Sequence, residues 1–493
     1  MRKLEEKGIK VGSIPSKADV AIIGSGATGL AAAVTLAEGG AKVVVFEKQR
    51  SLGGTSNFFQ GTFAVESEMQ RERFITFSRD EAFRGIMEYS HWLANPRLVR
   101  AIINESGATI SWLQEQGVVF TDATINMPES PRTYHVIKGR GEAVVKALAT
   151  QAKSKGAEIL SGKPVTALLK QGGKVCGVVV DDDGEEVEVA AKAVVVATGG
   201  FANNKEWIKK YSRFDLGANL IVVGNTGKAG DGIRMAWEAG AAEEGVNTLE
   251  LFRVAPVGPE FAMGCELELA TAQPDLWVTA RGERFCDESI GFWDTQVGNA
   301  NAKYGKNADT FSLFDDSVIE RVADRGLDNN VGMDALPGRK LVNLRKEIQA
   351  ALENGSRDVF AADSIEELAG KMEAAPAVLT ATVDDYNEGC AKGYDALFAK
   401  DRKYLRPLVG PRYYAVRAHT VFLGTMGGIK VNGNLEVLDK KDEVIPGLYA
   451  GGFDAGGMYG DSYPIKGSSG LASAFALNSG RIAGKSALKY LGH

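Results

Sequence analysis

Cysteine and histidine are scarce in this chain of 493 residues, with four of each and one histidine at the terminal position 493. Cys176, Cys265, Cys286 and Cys390 are too scattered for a disulfide framework, and none belongs to a Cys-x-x-Cys or haem-attachment pattern. So few ligands give no support to a metal centre or an Fe–S cluster, and no zinc-protease helix is present. Long hydrophobic runs are also missing. The longest, Val20–Ile23, Val43–Phe46 and Ala193–Ala197, fall far short of the ~20 residues that span a bilayer. An excess of positive charge is missing too: 57 Lys and Arg face 63 Asp and Glu, a net charge of −6, so no basic field exists for nucleic acid or an anionic membrane. The segment Met1 to Lys17 is charged and lacks the apolar core of a signal peptide, which predicts a cytoplasmic protein.

Glycine, by contrast, is plentiful: 59 residues against 14 prolines, gathered at a few places without forming a repeat. The clusters lie near both ends of the chain, whereas about 245–410 is richer in charged, helix-like sequence such as Leu341–Glu353 and Ser364–Ala374. This distribution predicts a cofactor domain in two segments, 1–245 and 411–493, with a substrate-capping domain, 246–410, inserted between them.

The first cluster carries a specific pattern. A short apolar strand, Val20–Ile23, leads into Gly24-Ser25-Gly26-Ala27-Thr28-Gly29 and then into a small-residue helix, Leu30–Glu38. A second strand, Lys42–Phe46, ends at Glu47, 18 residues after Gly29. Gly24 permits the tight turn, Gly26 lets a pyrophosphate approach the backbone, and Gly29 lets helix and strand pack closely. The helix start, with Ala27 and Thr28, offers N–H donors and a positive dipole end, and Glu47 can accept hydrogen bonds from an adenosine ribose. Strand before, helix after and acid at the right distance together predict a bound dinucleotide.

Beyond Glu47, Lys48 leads to Gly53-Gly54-Thr55-Ser56-Asn57 and on to Gln60-Gly61. On this segment the chain resembles the FAD-binding two-domain flavoproteins of the fumarate reductase and 3-ketosteroid dehydrogenase superfamily. Further matches follow in order along almost the whole chain. They are Lys138-Gly139-Arg140-Gly141, Pro164-Val165 as an adenine contact, and Val194 through Ala197-Thr198-Gly199-Gly200-Phe201 with Asn204. Gly230-Asp231-Gly232, Gly447 to Gly452, and Gly480-Arg481-Ile482-Ala483-Gly484 complete the set. The resemblance implies an α/β fold, a Rossmann-like FAD-binding domain with an inserted α+β cap, and FAD as cofactor. Membrane-bound members attach FAD through a histidine in the loop matching Gly54–Gly61. Here no histidine precedes residue 91, so non-covalent FAD is expected. Ser468-Ser469-Gly470-Leu471-Ala472 starts a terminal helix whose N-terminus, aimed at the flavin's pyrimidine ring, would stabilise reduced flavin. An ordinary amphipathic helix packed on the sheet is the alternative, and both can hold.

The resemblance fails where fumarate would be held. The family's histidine before Thr-Met-Gly-Gly falls at Gly424, its His-Pro element at Ala255-Pro256, and its proton-donating arginine at Trp293, before Asp294. The last family arginine meets Tyr463 or Gly467. Without these cations a dianionic transition state loses its stabilisation, so fumarate and succinate are not expected as substrates. Phe292, Trp293, Phe422, Met426, Met458 and Tyr459 point instead to an aromatic, apolar pocket. Tyr463-Pro464-Ile465-Lys466-Gly467 is similar to the Tyr-Pro-Gly-x-Gly segment of the steroid-acting members. That makes Tyr463 the first candidate acid, with Lys466 able to lower its pKa and Arg284, or Arg253, able to bind an anionic group. Arg284 can equally be a scaffold residue paired with Asp287 or Glu288. Tyr134, His135 and His419 are weaker candidates.

The expectation is an FAD-dependent enzyme moving hydride between flavin N5 and a carbon next to a carbonyl, reducing or forming an activated C=C bond in an enone or enoate. A flavin oxidase or monooxygenase, or a non-catalytic electron-transfer flavoprotein, are the alternatives. No second dinucleotide fingerprint occurs, since Gly224–Gly232 lacks a strand–turn–acid arrangement, so the donor is free NAD(P)H, reduced flavin or a redox protein.

Overall fold

The computed structural model describes residues 14–224, 226–258, 261, 264–304, 310–331 and 335–493. Most of the charged N-terminal segment read above, residues 1–13, lies outside them.

Apolar β-branched runs build the central sheet, in the order Glu436–Leu438, Val444–Ala450, Glu185–Val196, Lys17–Ile23, Val43–Glu47, Glu158–Ser161. All neighbours but the first pair run parallel, with Ile22 opposite both Val45 and Val195 and Leu448 opposite Val194. A hairpin, Val165–Gln171 and Lys174–Asp182, extends it from Glu185–Val196. Residues buried on both faces of a parallel sheet explain the continuous Val/Ile/Ala runs.

Two helices cover one region of this sheet and touch each other through small residues. Ala27–Glu38 is buried along almost its whole length, and Leu471–Leu491 lies against it. A Cβ on Gly480 would stand 2.1 Å from the Thr28 carbonyl oxygen, so the helices meet backbone to backbone.

A second, six-stranded sheet is organised on the 13-residue strand Tyr413–Thr425. Leu249–Ala255, Thr310–Asp315 and Val359–Ala362 pair antiparallel to it, and Leu220–Val222 pairs parallel. Its strands therefore come from both sides of the 246–410 interval. Glycine clustering marks loops and says nothing of which strands share hydrogen bonds, so we propose cap boundaries at Leu220 and Thr425.

Candidate active site

Four neighbouring parallel strands of the central sheet deliver their carboxyl ends to one cavity of about 670 Å³, at Ile23, Glu47, Ala197 and Gly451. The opposite wall comes from the second sheet and its loops: Glu250 to Arg253, Leu269, Asp294, Thr295, Val331 and Ala335. Loops beyond the carboxyl ends of parallel strands are where α/β folds bind ligands.

At the glycine loop the three glycines have separable reasons. Gly24, at φ +104°, would bring a Cβ to 2.2 Å from the Ala197 carbonyl oxygen, and Gly29 would bring one to 2.0 Å from that of Gly24. Gly26 meets nothing closer than Ser56 Oγ at 3.3 Å, so its bareness chiefly leaves room for a ligand. The helix Ala27–Glu38 has neither a side-chain cap nor an acid in its first turn. The Ala27 N–H donates to the Ser56 hydroxyl oxygen at 2.9 Å, and the positive end of the helix dipole beside it faces the cavity as a place for an anion. Glu47 is fixed by accepting from the Ser25 N–H at 3.0 Å, the Ser25 hydroxyl at 2.7 Å and the Gln49 N–H at 2.9 Å. Lys48 pairs with Asp231 at 2.5 Å on the same wall. Gly53, Gly54, Thr55, Ser56, Gly61, Val165, Thr198, Gly199, Gly452 and Gly470 join them around the cavity. A bare glycine turn, an uncapped helix and an anchored acid fit an FAD pyrophosphate and ribose.

Four of the expected cofactor residues stand behind this wall. Gly29 packs helix on loop as described. Asn204 caps the helix Lys205–Tyr211 by accepting from the Trp207 N–H at 3.0 Å. Ser468 Oγ donates to the Pro464 carbonyl, and Leu471 is fully buried in the core. The sequence reading missed Asp454, which is completely buried and accepts from the Thr198 hydroxyl at 3.0 Å and from the Gly199 and Gly200 N–H groups at 3.2 and 2.9 Å. It ties the loop after Val196 to the loop after Ala450.

The C-terminal helix starts at the cavity with Gly470 in the left-handed region and no side-chain cap. Its first turn is held by Ser473, whose hydroxyl donates to the Gly61 carbonyl at 2.8 Å, and by the Phe63 N–H donating to the Gly470 carbonyl at 3.1 Å. Tyr463 lies beside it, 3% exposed, with its hydroxyl oxygen accepting from the Ala472 N–H at 3.1 Å. Burial pushes the phenol pKa well above its ordinary value and the charge of Glu250 adds to this, outweighing the Ala472 N–H. Tyr463 is therefore held as the neutral phenol.

The other two candidate catalytic residues stand off the cavity wall. Arg284 forms a buried cluster, with bidentate hydrogen bonds of 2.8 Å to Glu288 and of 2.9 and 3.0 Å to Asp395, while Lys400 reaches Glu288 at 3.2 Å. Lys466 is half-exposed, 3.5 Å from Glu129, with its ammonium 5.4 Å from the centre of the Trp293 ring. Of the weaker candidates, Tyr134 and Arg253 line the cavity. His135 is buried between Ser67 and the Thr133 carbonyl, where desolvation lowers its pKa to about 4, and His419 pairs with Asp358 at 2.8 Å.

The aromatic pocket is built from other residues than expected. Phe292, Phe422, Met426, Met458 and Tyr459 are buried in the cores behind the cavity, and Trp293 packs beside them. The apolar walls are instead Leu251, Phe252, Leu269, Leu423, Phe453 and Ile465. At Gly424, where the family places a histidine, a Cβ would meet the Phe453 ring at 2.5 Å. An aromatic ring fills the space of that missing clamp.

Besides Glu47, Lys48, Arg140, Asp231 and Arg339, four further charged residues reach the cavity, Lys228, Glu250, Arg253 and Asp294. All four are buried. Desolvation lowers Lys228 to about 8 against the opposing charge of Glu250. It raises Glu250 to about 8, with Lys228 opposing and Asp294 adding, and raises Asp294 to about 6, Arg253 opposing. Arg253 contacts Glu268 at 3.2 Å and stacks on Phe252 at 3.9 Å. Three of these residues were missed, although an acid inside the apolar run Thr248-Leu249-Glu250-Leu251-Phe252 is a visible anomaly.

This site is an FAD-dependent oxidoreductase's. The FAD binding domain family matches residues 19–469, and the chain belongs to that family. It is 36% identical over 481 residues, 96% of each chain, to the vinyl phenol reductase of Lactiplantibacillus plantarum. It is 29% identical over 482 residues to the cytochrome-containing fumarate reductase of Shewanella frigidimarina, covering 96% of this chain and 77% of that one. The fold is shared with 3-ketosteroid Δ1-dehydrogenase from Sterolibacterium denitrificans, at a TM-score of 0.80 and 20% identity, covering 96% of this chain and all of that one. The chain is thus an FAD-dependent enzyme. No helix among the described residues is long and apolar enough to cross a membrane.

Proposed function

We propose that the protein reduces a C=C bond conjugated to a keto, ester or phenolic group, that it does not reduce fumarate, and that Tyr463 donates the proton. The observation that carries this reading is the neutral Tyr463 phenol at the start of the C-terminal helix, in a cavity with apolar walls where Phe453 leaves no room for a side chain at Gly424. Vinyl phenol reduction by a relative of equal length supports it.

FAD, when bound, supplies the hydride. The chain's own residues exclude water with the apolar wall, hold the substrate against the central sheet and deliver a proton from the Tyr463 hydroxyl. The Ala472 N–H and the helix dipole then stabilise the phenolate left behind. FAD is held without a covalent bond, a reading supported by the lack of His and Cys among the described residues lining the cavity. Electrons arrive from NAD(P)H, reduced free flavin or a redox protein, in the cytoplasm.

The test is anaerobic. The reduced holoenzyme is mixed with enones, enoates and vinyl phenols while flavin reoxidation is followed. Rapid reoxidation by one class, slowed about 100-fold in Tyr463→Phe with flavin content unchanged, is expected for loss of a general acid. Reoxidation by oxygen or redox proteins alone would overturn the proposal.

A further inference from the structure

Glu250 is 5% exposed, faces the cavity from the strand Leu249–Ala255, and has no hydrogen-bond or ion-pair partner among the described residues. An isolated buried carboxyl group is costly, and a bound ligand is the natural way to complete it. Lys228, 4% exposed on the same cavity, gives one hydrogen bond among the described residues, to the Leu423 carbonyl at 3.0 Å. An ammonium has three donors, so two remain. Glu250 stands between Leu249 and Leu251, which pair with Thr425 and Phe422 of the neighbouring strand, and Lys228 holds the Leu423 carbonyl of that strand, so acceptor and donor share one stretch of the wall.

The geometry points to Glu250 and Lys228 as a paired subsite for the hydroxyl or keto oxygen of the conjugated substrate, selecting an uncharged polar end over a carboxylate. The inference rests on the proposed C=C reduction. Glu250 accepts from a hydroxyl, or donates to a keto oxygen when protonated, and Lys228 donates to the same oxygen. A carboxylate entering beside Glu250 meets a second buried acid on the same wall, Asp294, and the Arg253 guanidinium there is already engaged by Glu268 at 3.2 Å. The buried acids on this part of the wall therefore disfavour an anion beside them.

Binding of saturated ligands tests this without turnover. The oxidised holoenzyme is titrated with 4-ethylphenol, its methyl ether and 4-ethylbenzoate, reading the perturbation of flavin absorbance. Wild type is expected to bind the phenol about tenfold more tightly than the ether, the scale of one hydrogen bond to a charged group, and the benzoate weakest. Lys228→Met and Glu250→Gln are each expected to bring the phenol down to the ether's affinity, and Glu250→Gln to improve the benzoate. Equal binding of phenol and ether by wild type, equal losses for both in the variants, or loss of flavin from them would overturn the subsite. Because none of the ligands can be reduced, a protein that binds the phenol but is never reoxidised by 4-vinylphenol contradicts the reductase reading alone.

Discussion

Gly424 and Phe453 show how a single residue redirects a shared fold. A histidine at 424 would need the space the Phe453 ring occupies, so restoring that one histidine of the clamp takes two changes. Gly424→His alone is expected to lower stability by about 1–3 kcal/mol through overpacking without conferring fumarate reduction. Thermal denaturation and anaerobic reoxidation by fumarate check both parts, and fumarate turnover by the single variant would contradict it. The surroundings of Tyr463 follow the same logic: its phenol is neutral because it is buried, and its conjugate base is tolerable because Ala472 points a backbone N–H at it.

Among the elements, the glycine loop and its helix carry the cofactor site. Gly29→Ala pushes a methyl group against the Gly24 carbonyl, a backbone contact that cannot swing aside, and so displaces the loop that receives the pyrophosphate. The expected result is loss of flavin absorbance per protein and a lower melting temperature; full flavin retention would contradict the assigned packing role. This part of the site was legible in the sequence because each glycine there answers a steric demand that no other residue meets. The substrate wall was not. Phe292, Phe422 and Met426 have the right chemistry for a pocket, but side-chain type cannot say which groups look into a cavity and which into a core, and for Phe422 period-2 alternation does not tell the two faces of its strand apart. Glu250 escaped notice for a related reason, since an acid in an apolar strand becomes informative only when its partners are known to be absent. The pairing of Leu220–Val222 with Tyr413–Thr425 was not legible either, because the two strands are far apart in sequence.

At the scale of the whole molecule, two sheets enclose one cavity and a buried charge cluster holds the cap together. Arg284→Met leaves Glu288 and Asp395 buried with Lys400 as their remaining cation, a loss of about 3–5 kcal/mol for breaking a buried pair. Burial works to raise the Asp395 pKa, but the hydrogen bonds and charge of Arg284 outweigh it and bring the group down to about 2. An unfolded Asp titrates near ~3.9, so this contribution is complete above that pH and disappears as pH falls toward the folded value. Urea midpoints should therefore drop between roughly pH 4 and 2 in wild type, and less steeply in Arg284→Met if it folds. A parallel fall in both proteins would contradict the linkage.

The central claim is that this fold reduces an uncharged conjugated alkene where relatives reduce a dianion. Single-turnover reoxidation of the reduced flavin by 4-vinylphenol, by a simple enone and by fumarate, in the absence of oxygen, tests it most directly. The account predicts that one of the two uncharged alkenes reacts at least about 100-fold faster than fumarate, the scale expected when transition-state cations are missing. Fumarate reacting as fast as either, or none of the three reacting, would contradict it.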